Sequence, residues 1–214
     1  MGYLQREGVE TVGLETMPQT PKNLNLYTKL GFRIGGLSFF MERKLTKKEY
    51  QTGSRSVDFE VAKTAAKDAV SKIRKVCAES LGGIDYSREA YFVEKYEDGK
   101  ILLANHNKKW VGFAICYPFK RPNQNTKVLA VKFSAIVPDY CGDLQINVFT
   151  SSWKEVASRC DCSGICARCY SANYLTLNRL ISEGYVIYNS HVKMYKGKPL
   201  LDDIATFHIE RWGG

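Results

Sequence analysis

The chain has 214 residues, 44% hydrophobic content and a formal charge of +9, enough for one large or two modest domains with an ordinary core. No run approaches membrane-spanning length, and residues 1–10 are too polar for a secretory leader, so a soluble cytoplasmic protein with no membrane partner is expected. The charge favours anionic partners, but Lys and Arg are scattered, with only short pairs such as Lys47-Lys48 and Lys108-Lys109; a solvated surface explains them better than a nucleic-acid groove.

In chain order, residues 2–6 read as the tail of a helix with Gly8 as its stop. Val12, Leu14 and Thr16 alternate as in a short strand. Pro18 marks a turn, and Thr20-Pro21 starts a helix with a hydroxyl at the cap and proline at the first helical position. Leu24 and Tyr27 share a helical face, Gly31 stops the helix, and Phe32 begins a strand ending near Met41. Residues 46–57 are polar and without apolar period, a linker. Ser56 or Asp58 caps a helix expected to run to Ser80, with Phe59, Ala62, Ala66, Ile73 and Val76 on its apolar face and Gly82-Gly83 at its end. A short helix over residues 87–96 follows. Strands are expected at 101–105 and 110–117, then a loop from Pro118 to Thr126, and an apolar, β-branched strand from Lys127 to Val137. Ile146, Phe149, Trp153 and Val156 recur at helical spacing in residues 144–159. A strand at 164–169, a helix from Asn173 to Glu183, a strand at 185–195 and a last strand at 204–211 complete the chain. Without further information this order means a mixed α/β sheet flanked by helices.

One plan occurs twice. Gly184-Tyr185 lies 153 residues after Gly31-Phe32, and at that offset Asn173 falls on Thr20, Leu177 on Leu24, Leu180 on Tyr27 and Met194 on Met41. Such a period is too long for a solenoid and points to two homologous domains.

The spacing from a helix cap to Gly-aromatic, Asn173 to Tyr185 in one copy and Thr20 to Phe32 in the other, resembles the back half of the GNAT superfamily, the acetyl-CoA-dependent N-acetyltransferases. The ending Leu26-Tyr27-Thr28-Lys29-Leu30-Gly31-Phe32 is the more typical copy. The resemblance implies a GNAT acyltransferase fold, a central mixed α/β sheet flanked by helices. It divides the chain into the back half of a first domain (1–45), a linker (46–57) and a complete but divergent second domain (58–214). It implies acetyl transfer from acetyl-CoA, as co-substrate, to a small-molecule or peptide amine. Specificity would lie in residues 56–96 and 118–126. The front half of the first domain, with its phosphate-binding loop, has no counterpart in this sequence, so the chain reads as a fragment or a gene that has lost its front; the orphan half would pair in a homodimer, take a partner supplying the missing half-domain, or pack on the second domain.

The same resemblance assigns the site. Ile136, Val137 and Pro138 match the strand edge and the entry to the phosphate loop, and Cys141 and Gly142 fall within that loop. Asn173 matches a contact to the cofactor arm, with a plain helix cap as the alternative. Helix N-termini bind anions through unpaired amides and the helix dipole. The loop departs from the family pattern: Cys141 stands for Gln or Arg, and Leu144 and Ile146 for two small residues. Asp143 puts a carboxylate where a diphosphate would arrive, a repulsion of about 4 kcal/mol at ~4 Å unless it points away. The family's general-acid tyrosine is Leu180 in the second copy and Tyr27 in the first, and no carboxylate lies in the strand from 127 to 137. A degenerate, non-catalytic domain that supports an active partner domain or binds a ligand without turnover is therefore the competing reading.

The seven cysteines, odd in number, argue for reduced thiols. Cys160, Cys162, Cys166 and Cys169 could supply thiolates to a metal, but their spacing is not that of a zinc knuckle. Cys166 and Cys169 would face opposite sides of a strand, so no metal is expected.

Overall fold

The polypeptide builds one open mixed sheet, and the computed structural model describes residues 6–46, 59–95, 99–121, 126–198 and 206–210 of it. The elements are β1 (Val12–Thr16), α1 (Pro21–Lys29), β2 (Arg33–Lys44), β3 (Phe59–Thr64), α2 (Ala66–Ser80), α3 (Glu89–Lys95), β4 (Lys100–His106) and β5 (Lys109–Lys120). After them come β6 (Lys127–Ile136), α4 (Asp143–Arg159), β7 (Cys162–Tyr170), α5 (Tyr174–Ser182), β8 (Val186–Lys196) and β9 (His208–Ile209). The strands lie in the order β1-β8-β2-β7-β6-β5-β4-β3, with β9 paired to β6. Among the described residues β6 and β7 are the one parallel pair, joined by a crossover through α4.

Two apolar layers sandwich the middle of the sheet. In β4, Ile101 and Leu103 pack with Ile73, Val76 and Leu81 of the α2 region on one face, while Leu102 and Ala104 join the core under α4 on the other. Burial on both faces is why this strand reads as a continuous apolar run rather than an alternation. Trp153 and Phe149 of α4 are fully buried against the second face.

Two expectations are corrected. Residues 59–64 do not begin a helix: they form β3, pairing antiparallel with β4 from Phe59↔His106 to Thr64↔Ile101, and α2 starts only at Ala66. The hexapeptide fits either period in sequence, and the open edge of β4 decides for the strand. This puts a strand ahead of the two helices where the sequence order had none. Nor does a loop begin at Pro118. The strand β5 runs on to Lys120, paired with β6 there, whereas β4 pairs with β5 only as far as Cys116. Proline is tolerated because that side of β5 needs no amide donor. Of the linker expected at 46–57, residues 47–57 lie outside the described residues.

The sequence repeat is reproduced in the hydrogen-bond register. Strand β2, from the first unit, lies between β7 and β8 of the second, and β1 lies beyond β8. Leu14↔Met194 and Ala167↔Met41 are paired, as are Val12↔Lys196 and Ile165↔Arg43, and each such couple is related by the offset of 153. The extra residues in the β2–β8 ladder are Gly35 and Tyr188, again equivalent. Ser38↔His191 maps onto itself, so an approximate two-fold axis passes through that pair. Even the helix ends agree: Arg6 is helical and Gly8 has φ +72°, while α4 ends at Arg159 and Asp161 has φ +54°.

Near the axis Arg168 Nη1 lies 2.7 Å from Glu15 Oε2, again equivalent positions. The Arg168 guanidinium stacks 4.1 Å from the Phe40 ring centroid, and the Glu15 side chain is only 1% exposed. An ion pair at this depth is dangerous to break but replaceable as a unit. Arg168→Met should therefore destabilise the protein by about 3 kcal/mol in urea unfolding, and adding Glu15→Gln should recover most of the loss. Additive losses in the double-mutant cycle would mean the pair does not tie the two units together.

Candidate functional site

The candidate site begins where β6 and β7 part. They pair from Lys127↔Cys162 to Val131↔Ala167, and there the ladder stops. On its other side β6 carries an extra residue, Lys132, between Val131↔Cys116 and Phe133↔Ile115. A bulge bends its strand and sharpens the twist, which turns the end of β6 away from β7 and opens a V-shaped gap. From the end of β6 the chain passes through Val137 and a single 3-10 turn, Pro138–Tyr140, to the start of α4, with Gly142 at its N-cap.

The gap is filled by the chain itself. Residues Thr206 to Glu210 enter it as a strap antiparallel to β6, pairing Ala135↔His208 and Ser134↔Ile209, with Ile136 N–H donating to the Phe207 carbonyl at 3.0 Å. The strap also lies alongside β7. All five residues are at most 2% exposed. The Phe207 ring sits 5.8 Å from that of Trp153, and Phe207 and Ile209 belong to the main core. Each such side chain contributes about 2–3 kcal/mol of burial.

The residues singled out in sequence meet around this strap. Asn173 caps α5, its Oδ1 accepting from Thr176 N–H at 3.1 Å. That contact leaves its Nδ2 to donate to the Thr206 carbonyl at 3.2 Å and to His208 Nδ1 at 2.6 Å. The Cys141 thiol lies 3.4 Å from Thr206 Oγ1, and Phe207 N–H donates to its sulfur at 3.3 Å. Burial pushes this thiol above its ordinary range. The Ile136 carbonyl accepts from Thr206 Oγ1, and Val137 N–H bonds across to Val111 O at 2.8 Å. Pro138 and Gly142 flank the same turn, and a Cβ on Gly142 would meet only the flexible end of Gln145. Asp143 points outward: its side chain is 94% exposed and faces Arg179 Nη1 at 3.4 Å. Arg179 thus offsets part of its charge at the helix start.

Tyr27 is not part of this constellation. It lies on α1 in a separate small cluster with Phe32, Val12, Leu14 and Leu24, its ring edge-on to Phe32 at 6.0 Å. Its counterpart Leu180 is fully buried in the main core. Sequence reasoning missed the strap's position and the part played by His208, Thr176 and Lys193. Of the strand expected at 204–211, the described residues show only His208–Ile209 as strand, and nothing local marks which gap a terminal strand enters. Cys169 packs in the main core and Cys166, three residues before it, lies on the other face of β7. No group of three or more potential metal-ligating side chains comes together among the described residues. None of the described helices is long and apolar enough to cross a membrane.

No protein-family model matches this sequence, and no curated protein matches it significantly. Solved structures do resemble the fold. A GCN5-related N-acetyltransferase from Anabaena variabilis superposes with a TM-score of 0.59 at 14% identity, over 91% of this chain and 47% of that one. A tandem GNAT protein from the clavulanic acid biosynthesis pathway gives 0.56 at 8% identity, over 88% of this chain and 64% of that one. An aminoglycoside N-acetyltransferase in complex with CoA gives 0.52 at 10% identity, over 61% of this chain and 89% of that one. The chain thus has the GNAT acyltransferase fold, and it spans 47% and 64% of the length of the first two.

Burial in the strap drives the His208 pKa down from 6.5 to about 4, with the nearby Lys193 ammonium acting in the same direction and the Thr206 carbonyl opposing. A depressed histidine pKa means that protonation favours the open or unfolded state. The contribution is complete above pH ~6.5 and is lost progressively down to ~4, roughly 3 kcal/mol in all. The expected NMR titration keeps the His208 ring neutral to about pH 4. In denaturant unfolding, His208→Gln should flatten the acid slope between those limits; an unchanged slope would assign it elsewhere.

Proposed function

We propose that this chain is the back portion of a tandem acetyl-CoA-dependent N-acetyltransferase that acetylates a small-molecule or peptide amine. In this reading residues 58–214 are a degenerate domain whose cofactor gap is closed at rest, and residues 1–45 are the back half of a catalytic domain. The observation that carries it is the strap: the backbone edge of Ser134–Ile136, Asn173 and Cys141 are all occupied by residues Thr206–Glu210. With Leu180 in the tyrosine position and no carboxylate in β6, residues 58–214 also lack the usual acid and an evident base.

The first unit has kept what the second has lost. Tyr27 stands half-exposed on α1, and β1 has no described partner on the side away from β8. In the second unit the equivalent side of β7 receives β6 and the cover of α4. A strand running parallel to β1 and a helix over Val12, Leu14 and Tyr27 would complete the first domain in the same way. The register symmetry supports this, as does an alignment that takes in 91% of the chain. In the completed site a neutral amine attacks the thioester carbonyl directly, the tetrahedral intermediate expels the thiolate, which takes the Tyr27 hydroxyl proton, and the proton lost by the attacking nitrogen passes to water, from which Tyr27 is reprotonated. In this reading the missing strand and helix come from the front half of the first domain rather than from a second copy of the chain. Reduced thiols throughout suit a cytoplasmic setting.

The test is an acetylation assay over a panel of amines. The chain alone should be silent. Extension at its amino end by the front half of a GNAT domain should produce acetyl transfer, and Tyr27→Phe in that longer form should lower kcat by about 100-fold. Turnover by the chain alone would move the reaction into residues 58–214 and overturn this reading.

A further inference from the structure

The strap has the marks of an occupant rather than of an ordinary sheet strand. It meets β6 through a ladder of only two residue pairs, in a gap that the Lys132 bulge would leave open without it. Beyond the ladder it is held by the apolar side chains of Phe207 and Ile209 in the main core and by polar groups lining the gap: Asn173, Thr176, Cys141 and the Lys193 ammonium, which pairs with Glu210. His208 N–H donates to Thr176 Oγ1 at 2.9 Å. A buried edge such as Ser134–Ile136 must have its amides and carbonyls satisfied. Any extended molecule carrying amides at peptide-like spacing can do so in place of the strap, in the manner of an added strand.

We propose that residues Thr206–Glu210 are a built-in competitor for the amide-bearing arm of acyl-CoA, so that release of the strap opens the β6–β7 gap to the cofactor. This rests on the cofactor reading given above. The strap holds the gap shut through Phe207, its apolar anchor beneath α4, and through its polar contacts to Asn173 and Cys141. Ligand and strap therefore exclude each other, and the apparent affinity for acyl-CoA is the intrinsic affinity scaled by the fraction of molecules with the strap released. A change that weakens the anchor raises that fraction without touching the groups that would contact the ligand.

The experiment is a calorimetric titration of acetyl-CoA into the full chain, into Phe207→Ala, and into Thr206→Cys under oxidising and reducing conditions. The Cys141 sulfur lies 3.4 Å from Thr206 Oγ1, close enough for a disulfide after small adjustment, which would lock the strap. Phe207→Ala should bind at least about tenfold more tightly than the unaltered chain, and oxidised Thr206→Cys at least about tenfold more weakly than its reduced form. Amide exchange supplies the second readout: in Phe207→Ala, Ser134–Ile136 should exchange faster while Leu129–Val131, paired with β7, stay protected. Equal affinities across all forms, or exchange at Ser134–Ile136 only through global unfolding, would overturn the strap proposal and leave the functional reading standing. Faster exchange at Ser134–Ile136 with no acetyl-CoA binding would overturn the cofactor reading and the strap's competitor role together. Should Phe207→Ala not fold, the oxidised and reduced Thr206→Cys pair decides by itself.

Discussion

The backbone ladder of β2 is the constraint on which the rest of the molecule depends. A strand from the first quarter of the chain sits between two strands from its last quarter, paired with β7 on one side and β8 on the other. Neither repeat unit can therefore close its own sheet. The two-fold register makes this geometry self-consistent: each unit lends its second strand to the middle of the block and keeps its first strand at the outside. The buried Arg168–Glu15 pair joins equivalent positions of the two units near the axis. Long-range pairing of this kind must overcome a large loop-closure entropy before it gains any contact, so the block is also the element whose formation commits the chain to its topology.

From that block the sheet continues outward unequally. Beyond β7 the chain has supplied β6, α4 and the rest of a complete sandwich, and Ile165, Ala167 and Leu180 are buried beneath it. Beyond β1 the described residues supply nothing comparable, and Val12, Leu14 and Tyr27, at the equivalent positions, are only half-buried. Two stretches of similar sequence thus reach different environments because of what lies next to them. That asymmetry separates a core leucine from an accessible tyrosine at one position of the repeat.

At the candidate site the decisive feature is again backbone geometry. One inserted residue, Lys132, bends β6 out of its parallel pairing with β7. The resulting gap leaves buried polar groups on the β6 edge, and a buried amide edge without partners costs about 1–3 kcal/mol per group. The strap removes that cost from within the chain. It also brings in a histidine that must stay neutral and a carboxylate that must be paired, His208 and Glu210, each held by a side chain from a different element. At the start of α4, Asp143 turns to solvent and faces Arg179.

The sequence by itself determined the elements whose signals are local. The helix from Pro21, although Thr20 makes no side-chain cap bond, its repeat from Tyr174 with Asn173 as the cap, the glycine stops at Gly31 and Gly184 with φ +86° and +85°, and the apolar strand from Lys127 were legible. Stops and apolar periods can be read this way because they depend on neighbours a few residues away, and the strand register recurs at the offset of 153 seen in the sequence. The strand at 59–64 was not legible, since its residues suit two periods and only the open edge of β4 chose between them. Pairing across the sheet, the interleaving of the units and the entry of Thr206–Glu210 into the β6–β7 gap were likewise left to the tertiary structure. Those depend on which backbone edges are free once the rest has packed, and a free edge accepts any extended segment that reaches it. Sequence patterns say that a segment is extended; they do not say which edge will hold it.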